Sequence, residues 1–129
     1  MTMIFVQDDG AQAAPGDDTL IPVPSGQVVT LQEVVWNAAG VEGLTLRFRF
    51  ITPGIAPGGG VNFEAASADM LALCQTYALP RMVDFGPQVQ QIVISLADRA
   101  VVFGATEPDA TQFFEAYRVE GGACIWEIY

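Results

Sequence analysis

Arg47 and Arg49 stand two residues apart in the alternating run Leu44–Ile51, LTLRFRFI. Alternation sends both guanidinium groups out of one strand face, and two such groups suit a carboxylate or phosphate ligand. A solvated outer face balancing an acidic protein explains the same pair. Asp98 and Arg99 are adjacent between two apolar runs and read either as a ligand-binding loop or as a hairpin turn closed by aspartate. General acid–base chemistry needs two carboxylates, one raised in pKa by burial. Glu33, amid Val34, Val35 and Trp36, is the most interesting of the acids, although an outward-facing strand position accounts for it; Asp84 and Glu107 fall in loops, where acids are ordinary.

Nucleophilic catalysis finds no support. The chain has no histidine and no lysine, so neither Cys74 nor any serine has the usual base or cation beside it, and no GxSxG occurs. Gly58-Gly59-Gly60 precedes a helix but lacks the GxGxxG and GxxxxGK[ST] spacings of phosphate loops. Gln7–Gly10 and Pro15–Asp18 do not give the ligand spacing of a calcium loop. These residues assign no catalytic group, cofactor or metal.

The elements that must position the arginines are legible. Asn62–Arg81, NFEAASADMLALCQTYALPR, reads as the one long helix. Phe63, Ala66, Ser67, Met70, Leu73, Cys74, Tyr77 and Ala78 fall on its burying face; Glu64, Ala65, Ala68, Asp69, Ala72, Gln75 and Thr76 fall on the other. Asn62 is a suitable N-cap, and Pro80 is expected to end the helix at Leu79. Strands are expected at 28–36, 44–51 and 89–96, with a tight turn at Asp98-Arg99 and a short return strand at 100–103. Thr106–Asp109 has the marks of a single helical turn. Gly121-Gly122 closes a hairpin that sets Val119 opposite Cys124 and Tyr117 opposite Trp126, with Ile128 further along the core face. Arg118 and Glu127 are then diagonal neighbours on the outer face, an exposed ion pair. The sum is an α+β fold: a mostly antiparallel sheet of about six strands with one amphipathic helix packed on one face. Residues 1–26 read as an extended, acidic, Pro/Gly-rich leader contributing little to the core, and 27–129 as a single domain. Leu20–Pro24 is expected along a sheet edge.

The chain has 129 residues, half of them apolar, and a formal charge of −10 with only five cations. That balance disfavours nucleic acid and anionic membrane surfaces as partners. No apolar run reaches the roughly 18 residues of a membrane span. The start, MTMIFVQDDG, looks like the stump of a secretory signal or an imposed start. Cys74 and Cys124 allow one disulfide, which would tie the helix's buried face to the last strand and stabilise by roughly 4 kcal/mol, or else two buried free thiols.

VPSGQVVTLQEVVW, GLTLRFRFI, ADMLALCQTYALPR, QIVISLADRAVVFG and ATQFFEAYRVEGGACIWEIY together resemble the small bacterial proteins grouped as domain of unknown function 6497, over nearly all of 23–129. The resemblance implies a signal peptide ahead of the acidic Gln-Asp stretch and hence a periplasmic or secreted protein, although residues 1–6 depart from that pattern and a cytoplasmic location is the alternative. The name acetolactate synthase attaches to some members. That reaction needs a large thiamine-diphosphate enzyme with a cofactor site shared between domains, which one acidic domain without phosphate or metal motifs cannot house.

The functional expectation is a non-enzymatic binding or accessory module for a protein partner or small ligand, with Arg47, Arg49, Asp98 and Arg99 as candidate ligand-binding residues. The alternatives are a small carboxylate- and arginine-based hydrolase or isomerase, or a carrier with an apolar cavity lined by residues such as Met70, Tyr77 and Trp126.

Overall fold

The computed structural model describes residues 12–37 and 43–127. Six strands form one sheet in chain order: β1 (Gln12–Asp17), β2 (Thr30–Trp36), β3 (Leu44–Ile51), β4 (Val89–Ala97), β5 (Gln112–Glu120) and β6 (Ala123–Glu127). Every neighbouring pair is antiparallel except β3 and β4, which run parallel. A parallel pair requires a crossover, and the helix supplies it. Helix α1 (Phe63–Leu73) leaves the loop after β3 and covers one sheet face. The architecture is the expected α+β fold.

Alternation sorts the sheet cleanly. Leu46, Phe48 and Phe50 of β3 lie beside Ile92, Ile94 and Leu96 of β4, all essentially without solvent contact. Ala66, Met70, Leu73, Cys74 and Ala78 close over them from the helix. Burying an aliphatic side chain of this size contributes roughly 1.5–3 kcal/mol, so this seam is the main source of stability. Tyr77 sets its ring edge-on to Phe48 and Phe50 at 6.2 and 5.6 Å. Cys74 and Cys124 are joined in a disulfide across the same seam.

Several expectations change at element ends. The helix does not stop before Pro80: α1 opens into a π turn over Cys74–Ala78, in which the Leu79 N–H donates to the Cys74 carbonyl, and helical backbone continues to residue 85. The wider turn makes room for a proline ring that a tight α ladder would exclude. Asp69, assigned to the outward face, is fully buried, and Phe63, assigned to the burying face, is exposed. The reason for the first is the 20–29 segment, which folds along the helix flank: Ser25 donates its N–H and hydroxyl, and Gln27 its amide, to the Asp69 carboxylate. Leu20–Pro24 forms no strand; Ile21 enters the core and its N–H donates to Val29.

Residues 12–17, expected as part of an extended leader contributing little to the core, form the edge strand β1, and of them only Ala14 packs against the core. No strand forms at 100–103, because β4 is already paired on both sides; that segment crosses the outer sheet face instead. Thr106–Asp109 is a turn rather than a helical start. In the last hairpin, Val119 faces Cys124 and Tyr117 faces Trp126 as expected. Arg118 pairs with Glu120, while Glu127 accepts from Gln91, since the register sets Glu127 opposite Ala116. The expectations for residues 1–10 and Ile128 lie outside the described residues.

Candidate functional site

Two regions stand out, one on each side of the sheet. On the outer face, register sets Arg47 between Val35 and Val93, and Arg49 between Glu33 and Ser95. A β-bulge between Leu31 and Glu33 lets Gln32 also reach this face, where its amide donates to the Val101 carbonyl at 2.8 Å. Arg49 is nearly buried; it pairs with Glu33 and donates to Val101 at 2.8 Å. The bulge and Arg49 together therefore hold residues 100–105 across the sheet, and this places Phe103 above both arginines, 5.6 Å from the Arg47 guanidinium carbon and 5.3 Å from that of Arg49.

Arg47 differs from its neighbour. No carboxylate pairs with it among the described residues, and it lines two adjoining hollows of about 340 and 170 Å³. Burial, and secondarily repulsion from Arg49, pulls its pKa below the usual guanidinium range. The larger hollow is bounded by Val35, Trp36, Thr45, Gln91 and Phe103.

Asp98 and Arg99 do not join this pair. Asp98 is buried at the end of β4 and accepts from Arg99, whose hydrogen bond holds the carboxyl below its usual range against the opposing effect of burial; the backbone N–H groups of Thr111 and of Asp98 itself donate to the carboxylate and lower it further. Asp98 in turn raises the Arg99 pKa. Glu33 and Asp98 are thus both engaged by arginine rather than facing a cleft as free carboxyls.

On the helix side lies a groove of about 440 Å³ between α1 and the β5–β6 hairpin, lined by Phe63, Glu64, Leu71, Tyr117 and Trp126. Phe63, Leu71 and Trp126 are 51%, 41% and 55% exposed. Trp126 is fixed by a 2.7 Å bond from its indole N–H to Glu115, and Phe63 packs edge-on to Phe113 at 5.0 Å. Tyr117 is buried at the groove floor, which raises its pKa, with Glu115 adding to the effect. The carrier alternative pictured Met70, Tyr77 and Trp126 around one cavity; Met70 is sealed in the core and Trp126 stands at this open groove. Phe103 and the groove escaped the sequence reading, because an isolated apolar residue in a loop or on a first helical turn carries no periodic signal.

No helix among the described residues is long and apolar enough to cross a membrane. The model of a family of unknown function, DUF6497, matches residues 4–129, so the chain belongs to that family. No curated protein and no solved structure matches significantly.

Proposed function

We propose that this member of a family of unknown function is a non-enzymatic accessory module that binds a protein partner in the groove between α1 and the β5–β6 hairpin. The observation that carries the reading is the cluster of Phe63, Leu71 and Trp126, three large apolar side chains left exposed together around one groove. The partner presents an apolar segment bearing Lys or Arg, because Glu64 lines the groove and the chain carries a charge of −10. The same charge opposes a second copy as the occupant. The engagement of Glu33 and Asp98 by arginines supports a binding role over acid–base catalysis.

The disulfide supports an exported location, since such bonds persist in oxidising compartments. A photo-crosslinking residue at position 71, with position 114 on the opposite face as control, tests the groove in native cells. One discrete adduct at 71 that is lost with Trp126→Ala, and whose partner peptide is basic and apolar, is the expected result. Equal labelling at 71 and 114, or an acidic partner segment, would refute it.

A further inference from the structure

The groove leaves the opposite face of the sheet unexplained, and that face holds the least compensated charge among the described residues. Five arginines serve fifteen acids in this chain, so each cation could be expected to find a carboxylate. Arg49 has Glu33, Arg99 has Asp98 and Arg118 has Glu120. Arg81, on the helical run, lies over the Tyr77 ring at 3.6 Å and donates to the Tyr77 carbonyl at 3.0 Å. Arg47 alone combines partial burial, a like-charged neighbour and the lack of a pairing acid among the described residues. Holding a guanidinium in that setting costs free energy that a structural role would normally offset with a carboxylate. An anion from solution would offset it instead.

From this geometry we infer that Arg47 is the anchor of a binding site for a small organic monocarboxylate, its body lying in the 340 Å³ hollow against Phe103 and Val35. The charge count selects the class. Among the described residues, Arg47 and Arg49 contribute two positive charges here and Glu33 one negative, leaving one to be met. A carboxylate meets it, whereas a phosphate dianion would leave an excess of negative charge inside a protein already at −10. The planar guanidinium fork matches a carboxylate bidentately. Phe103 is 45% exposed and offers its ring to an apolar or aromatic ligand body, while the Thr45 hydroxyl and Gln91 amide, bonded to each other at 3.0 Å, give the far wall polar character. The site lies on the outer sheet face, so it stands independently of the groove reading.

Benzoate and inorganic phosphate, titrated separately at constant ionic strength and followed through the arginine Nε–H resonances, test the inference. Benzoate is expected to shift the Arg47 resonance saturably at millimolar concentration, with phosphate at least tenfold weaker. Arg47→Gln should weaken benzoate by roughly tenfold to a hundredfold, the range of a lost charge-assisted contact. It should also melt no lower than the parent in ligand-free buffer, because an uncompensated charge has been removed. Absence of a saturable shift at Arg47 overturns the site, as does undiminished benzoate binding by Arg47→Gln. Phosphate binding as tight as benzoate overturns the carboxylate class. Should Arg47→Gln fail to fold, the wild-type titration decides alone.

Discussion

Asp69 shows how a side chain's role depends on groups far from it in sequence. On the helix wheel it neighbours Met70 but belongs to the polar side, and nothing in the helix sequence marks it as buried. Its burial comes from Ser25 and Gln27, more than forty residues away, whose three donors replace water around the carboxylate. Arg47 and Arg49 were legible as a pair from alternation alone, yet their different fates depend on Glu33 and on a loop carbonyl at Val101, which no local pattern foretells. Removing the Asp69 carboxylate leaves three donors to find new partners. Asp69→Ala is therefore expected to cost about 2–3 kcal/mol, since charged hydrogen bonds are the strong ones but Ser25 can regain water. Ser25→Ala should cost less, and the double variant should fall short of the sum, as members of one network are not additive. Denaturant midpoints of the three variants check this; strictly additive losses would show that the turn and the carboxylate act separately.

Among elements, β3 was recovered with its full bounds and both faces, because seven strictly alternating residues from Leu44 to Phe50 leave no competing reading. The last hairpin was recovered to its register, because Gly121-Gly122 permits few turns, and both residues do adopt positive φ. The Pro80 expectation failed for the opposite reason: a proline rule describes an α ladder, and a single π turn changes the ladder. β1 was missed because Ala-Ala-Pro-Gly has no strand propensity; it is held by its partner's shape. Gly16 lies against the β2 bulge so closely that an added Cβ would stand 1.9 Å from the Leu31 carbonyl oxygen and 2.5 Å from that of Gln32. Both obstacles are backbone and cannot step aside. Gly16→Ala should consequently detach or shift β1, speeding amide exchange in residues 12–17 and in β2 while β4 keeps its protection. Unchanged exchange at Leu31 and Glu33 would contradict this packing account of the edge strand.

At the scale of the whole molecule, the two proposed binding regions depend on different fasteners. The outer site is held by Gln32 and Arg49 gripping the 100–105 crossing, and the groove is held by the disulfide, which joins the π turn to β6 beneath Trp126. β6 has a neighbour on one side only, so its attachment to the helix rests on Cys124 together with Val119 and Tyr117 behind it. Cysteine positions were readable in the sequence as a candidate pair, whereas the alternative of two free thiols could be settled only by bringing both residues into one seam. With the two cysteines separated by 50 positions in sequence, the chain-entropy argument places the bond's contribution at roughly 4 kcal/mol. Cys74→Ala/Cys124→Ala should therefore lower stability by about 2–4 kcal/mol, the loss appearing mainly as a more open unfolded state. Exchange should accelerate most in 123–127, and crosslinking from position 71 should weaken. The Arg47 titration with benzoate should stay unchanged in the folded double variant, because that site shares no residue with the seam. Loss of both proposed interactions together would mean that the sheet transmits the change between its faces, and that the two regions form one coupled unit.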